Sequence, residues 1–95
     1  MPDGRALVLN YYSNSVSVVN LETRSSQTVA LTLNGKSFVN PTHAALAPDG
    51  RSAYIVSSGT DGNLLVFDLQ RLVVTRAIAI DGLSFDVVVV KKEGL

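Results

Sequence analysis

The chain has 95 residues, enough for one small domain but few enough that it buries a smaller share of its surface than a longer chain would. Hydrophobic residues make up 46% and charged ones 17%, which excludes a disordered tail and leaves more apolar surface than a small monomer readily hides, so a partner is expected. Lys plus Arg balances Asp plus Glu at 8 each, which disfavours nucleic acid, and cysteine is absent, which removes disulfides, thiolate metal sites and cysteine nucleophiles together.

Met1 is followed at once by Pro2-Asp3-Gly4 instead of a basic and then apolar leader, so no secretory signal is read. Pro-Asp-Gly reverses the chain by a definite mechanism. Pro presets φ, Asp bonds its own following backbone, and Gly accepts positive φ. Runs rich in Val, Ile, Leu and Tyr then predict strands over residues 6–9, 16–19, 28–33, 44–47, 53–56, 64–67, 73–80 and 85–90. No window repeats apolar residues at helical spacing without a Gly, Pro or Ser/Asn cluster breaking it, so the expected class is all-β. The longest apolar block, residues 87–90, is far short of the roughly 20 residues that span a bilayer, so no membrane span is expected.

Pro2-Asp3-Gly4-Arg5 recurs as Pro48-Asp49-Gly50-Arg51, and Val18-Val19-Asn20-Leu21 as Val66-Phe67-Asp68-Leu69. The offset grows from about 46 to about 48, a period in the range of propeller blades. Two of the strands are apolar on both faces: Leu7-Val8-Leu9 in the first copy and Leu64-Leu65-Val66-Phe67 in the second. Residues 87–90 share the pattern, and such strands require a cover on each side. Residues 23–28 are polar and suit an outer, solvent-facing edge.

The whole pattern resembles the YVTN-type β-propeller repeat, in which a strand, a Ser-Pro-Asp-Gly turn, a second strand, a Ser/Gly/Asn loop, a third strand, a turn and an outer strand succeed one another. Arg51-Ser52-Ala53-Tyr54-Ile55-Val56-Ser57 fits the second strand, and Asn14-Ser15-Val16-Ser17-Val18-Val19-Asn20-Leu21 fits the loop end and third strand. The first copy departs from the pattern in lacking the strand Tyr, in being one residue short after Gly4, in having Asn20 where Asp is usual, and in carrying Arg24-Ser25-Ser26 at the outer turn.

The resemblance implies four-stranded antiparallel blades, two of them in permuted register: residues 1–40 as a first blade without its inner strand, 41–83 as a second blade, and 84–95 as the inner strand of a following one. Two blades must be completed, either by self-association of three or four chains or by the remaining blades of a larger chain. A self-contained sandwich of two sheets is the alternative. The resemblance also suggests a periplasmic or extracellular setting.

Alternating strands put loops 10–15, 36–43, 57–63 and 81–84 at one end and the Pro-Asp-Gly turns at the other. The loop end supplies the candidate binding residues Tyr11, Tyr12, Asn14, His43 and Asp61: rings that stack, and polar groups that hydrogen-bond. His43, the only histidine, stands where the resemblance places a channel mouth, but one His without Cys makes a poor metal or catalytic site. No phosphate loop, nucleophile elbow or paired-His motif occurs, and no cofactor is expected. The expected function is a non-catalytic scaffold or binding module. The alternative is a segment of a propeller enzyme, either lactonase-like or a cofactor-carrying oxidoreductase subunit.

Overall fold

The computed structural model describes residues 4–58 and 62–80 of the chain. The described residues are all-β, with no helix. β1 (Arg5–Asn10), β2 (Ser15–Asn20) and β3 (Ser26–Ala30) form a three-stranded antiparallel meander. β4 (Thr32–Leu33) and β5 (Lys36–Ser37) form a short hairpin. β6 (Pro41–Leu46), β7 (Ser52–Ser57), β8 (Asn63–Asp68) and β9 (Val73–Ala79) form a four-stranded antiparallel meander. The two larger sheets pack against each other in a small sandwich-like arrangement, and neither closes on itself among the described residues.

Seven of the eight predicted strands fall in the described residues and all are present, while residues 85–90 lie outside them. The expected single strand over 28–33 divides at Leu31. The β2 strand that β3 pairs with begins at Ser15, so Leu31 has no further ladder partner there. Its N–H turns instead to the Asn14 carbonyl at 3.2 Å, and its own carbonyl accepts the Phe38 N–H at 2.8 Å. Between these bonds the chain makes a hairpin at Asn34-Gly35, where φ of 53° and 80° gives the paired positive values of a type I′ turn. The expected loop over 36–43 therefore holds β5 and the start of β6, whose first residue is Pro41, a position where the missing N–H costs a sheet little.

Strands β1, β2 and β3 repeat β7, β8 and β9 strand by strand, and β6 has no counterpart among the described residues. Arg5 pairs with Asn20 as Ser52 pairs with Asp68, and Asn10 pairs with Ser15 as Ser57 pairs with Asn63. The missing residue after Gly4 is thus absorbed in the turn, with Arg5 taking Ser52's place in the ladder. The next turn is also shared. Asn20 Oδ1 accepts the N–H groups of Glu22 and Thr23, both at 3.0 Å. Asp68 Oδ1 accepts those of Gln70 and Arg71 at 2.9 and 2.8 Å. Arg24 and Leu72 close the two turns with left-handed φ of 64° and 57°, their N–H groups bonding the Asn20 and Asp68 carbonyls at 2.8 Å each.

The core lies between the sheets and uses opposite faces of the repeated unit. From the first sheet come Leu7, Leu9, Val16, Val18 and Val29, which share one side of the pleat because Leu7 pairs with Val18 and Val16 with both Leu9 and Val29. From the second come Ala53, Ile55, Leu65, Phe67 and Val74. In the shared register Val16 corresponds to Leu64 and Ser17 to Leu65, so the second sheet turns its other side inward. The hairpin closes one end of the core through Leu31, Leu33 and Phe38. Phe38, an expected surface-loop residue, is 4% exposed, with the Lys36 ammonium 5.5 Å from its ring centroid.

Phe67 is the largest fully buried side chain, so Phe67→Ala is expected to cost about 3–5 kcal/mol through lost transfer energy and the cavity it leaves. Leu21→Ala, at a position 62% exposed, is expected to change stability by less than about 0.5 kcal/mol. Urea unfolding of both variants checks the contrast. Gly35→Ala isolates the backbone term of the hairpin, because no atom within 4 Å would meet the new Cβ. A loss of about 1–2 kcal/mol in the same titration is expected from the left-handed φ alone.

Candidate functional site

The β1–β2 loop carries Tyr11 and Tyr12 at its tip. Tyr12 is 95% exposed, and its ring stands edge-on to that of Tyr11, with centroids 5.1 Å apart and planes at 86°. This T-shaped pair is a favoured aromatic geometry and presents ring edges and hydroxyls to solvent. The strands that hold it are tied by a polar ladder. Asn10 Nδ2 donates to Ser15 Oγ at 3.1 Å and to Ser17 Oγ at 2.9 Å, and the Ser17 and Thr28 hydroxyls share a 2.8 Å bond.

Asn14 lies at the same end but is engaged in the framework. Its φ of 56° is a conformation asparagine tolerates, and its Oδ1 accepts the Asn40 N–H at 2.9 Å. Asn40 itself has φ of 53°, and its carbonyl accepts the Ser58 N–H at 3.1 Å. Ser57 Oγ donates to the Val39 carbonyl at 2.6 Å. These bonds lock the linker from the first sheet onto the β7–β8 end of the second, leaving the side-chain oxygen of Asn14 with a structural role.

His43 is exposed on β6, paired with Val56 and therefore on the side of the second sheet away from the core cluster. Of Asn14 and His43, Asn14 is the one that shares the β1–β2 turn with the tyrosine pair. Asp61 lies outside the described residues. No group of three His, Cys, Asp or Glu side chains able to hold a metal occurs among the described residues.

The concave surface lies at the opposite end, beside the turns. Arg5 reaches across from β1 and donates from Nη1 to the Leu69 carbonyl at 2.8 Å, fastening the first sheet to the β8–β9 turn. Its side chain separates two shallow clefts. One, of about 370 Å³, is lined by Val18, Asn20, Ser25, Ser26, Gln27 and Leu72 besides Arg5; the other, of about 570 Å³, is lined by Gly50, Arg51, Asp68, Leu69 and Gln70 besides Arg5. The bridging role of Arg5 was open to sequence reasoning through the residue missing after Gly4, which moves the arginine from the turn into the strand.

Asp68 lies in the second cleft with its carboxyl held below its ordinary pKa of 3.8, first by the Arg71 N–H and then by the Gln70 N–H, with the Arg71 side chain 3.3 Å from Oδ2 adding to both. A carboxyl whose folded pKa is depressed contributes stability in full above the unfolded value, and that contribution is lost as pH falls below 3.8 and through the lower folded value. Asn20 makes the same turn with a neutral amide. Asp68→Asn is therefore expected to leave the melting temperature at neutral pH nearly unchanged and to make its fall in acid shallower than in the unaltered chain. Thermal melts recorded by circular dichroism across that range check this.

Comparison with protein-family models, curated proteins and solved structures returned no match to this chain.

Proposed function

We propose that this chain is a non-catalytic β-propeller-type scaffold or binding module, two YVTN-like blades to be completed by other copies or by the remaining blades of a larger chain. The observation that carries this reading is the shared register of the two meanders, with the same turn made by Asn20 and by Asp68, since a repeated unit determines a stack and leaves recognition to its loops. Tyr11 and Tyr12 are the contact residues in this reading: a rigid loop on a tied framework offers aromatic area at low entropic cost.

The enzyme alternative requires groups that converge on one point, as several blades of a propeller enzyme would supply. Among the described residues the titratable side chains are spread over turns, with Asp49 and Asp68 each accepting backbone N–H groups of its own turn. That observation favours the scaffold. Elemental analysis of the purified chain by plasma mass spectrometry is expected to find no transition metal in proportion to protein. One metal per chain, or one per assembly, would transfer the reading to a metal-dependent propeller enzyme.

A further inference from the structure

Apart from β6, each face in the sandwich has a counterpart on the other repeated sheet that lies outside the core cluster. Tyr54, Leu64 and Ile78 stand on the second sheet where Leu7, Val16 and Val29 stand on the first. Ala6, Val8 and Val19 stand on the first sheet where Ala53, Ile55 and Phe67 stand on the second. Neither counterpart face belongs to the buried cluster: Ile78 is 40% and Val8 44% exposed, while Val56, beside Leu64, is 1% exposed at the β7–β8 end. Among the described residues the chain thus contains one formed interface and, on the other sides of the two sheets, the two halves of a second that lacks only the part β6 plays in the first.

We propose that a second copy of this chain docks head to tail, the Tyr54, Leu64 and Ile78 face of one copy seated on the Ala6, Val8 and Val19 face of the next. The proposal rests on the repeat reading above and names the partner that reading leaves open. Its contact continues the interface already present between the two sheets, repeated by the same displacement.

Size and polarity agree with that partner. Tyr54 for Leu7, Leu64 for Val16 and Ile78 for Val29 add bulk on one side, reduced by Val56 for Leu9, while Val8 for Ile55, Ser17 for Leu65 and Val19 for Phe67 remove it on the other. The changes offset one another, as close packing demands. Three hydroxyls enter this face: Ser17 and Thr28, which are bonded to each other at 2.8 Å, and Ser26, which takes the place of Val74 at the exposed outer strand. Arg76, paired with Val66, occupies the place of Gln27, which is exposed at the rim of the existing interface. The formal net charge of zero puts no repulsion between copies. Unlike faces meet, so the association is heterologous, and it extends until a ring closes.

Light scattering coupled to size exclusion tests this with Val8→Asp and Ile78→Asp, each of which spoils one face and leaves the other. The unaltered chain is expected to associate beyond a dimer, each variant alone to run at the mass of one chain, and an equal mixture to run at the mass of two and no more. A monomeric unaltered chain, a variant that pairs with itself, or a mixture of folded variants that stays monomeric would overturn the proposal.

Should an aspartate prevent folding, as read by circular dichroism, Val8→Cys and Ile78→Cys replace it, the chain having no cysteine of its own. A short bismaleimide is then expected to couple the mixed variants far more than either alone, and equal coupling in either alone would overturn the contact. A metal-free monomer would leave the scaffold reading standing while removing the copy-to-copy contact. A stoichiometric metal in an assembly that still pairs head to tail would do the reverse.

Discussion

Apolar side chains on both faces of a pleated sheet cannot be satisfied by a single covering layer, and that constraint governs this molecule. β8 runs Leu64-Leu65-Val66-Phe67: Leu65 and Phe67 are fully buried, while Leu64 and Val66, on the other side of the same strand, are half-buried. β1 shows the same division, with Leu7 and Leu9 packed against the core and Val8 turned outward. Each sheet covers one side of the other; the second is left with a further apolar side, and the first with one where Ala6, Val8 and Val19 flank the Asn10, Ser15, Ser17 and Thr28 ladder.

The arrangement at the sheet ends follows from the same repeat, with local changes that fit each turn to its place. At one end Asn20 and Asp68 cap equivalent turns, and Arg5 bridges the sheets by reaching the Leu69 carbonyl. At the other end Asn14, Asn40 and Ser57 fasten the linker, and the hairpin at Asn34-Gly35 lowers Phe38 into the core. Both ends are held by directional bonds, so the aromatic tip at Tyr11 and Tyr12 projects from a fixed base.

Much of this was legible in the sequence because it rests on short-range patterns. The strand runs, the Pro-Asp-Gly turns and the repeat all announce themselves in composition and spacing, and the polar outer strand β3 is exposed along nearly its whole length as its Ser-Gln-Thr content predicts. The β4–β5 hairpin is the exception: Asn34-Gly35 is its strongest short signal, but the apolar run into Leu33 reads as one continuous strand. The candidate site was less legible. Whether Asn14 offers its amide to a ligand or to Asn40 depends on a residue 26 positions away, a distance over which spacing carries no information. The one-sided cover of β1 and β8 likewise depends on how the two sheets meet, which no local pattern encodes.

The central claim is that opposite faces of the repeated unit meet in the core, and methyl-to-methyl and methyl-to-ring nuclear Overhauser contacts test it most directly. Stacking of opposite faces predicts contacts from the methyls of Val16 and Val18 to those of Ile55 and Leu65 and to the Phe67 ring. Contacts from Val16 and Val18 to Leu64 and Val66 instead would show like faces meeting, and would contradict it.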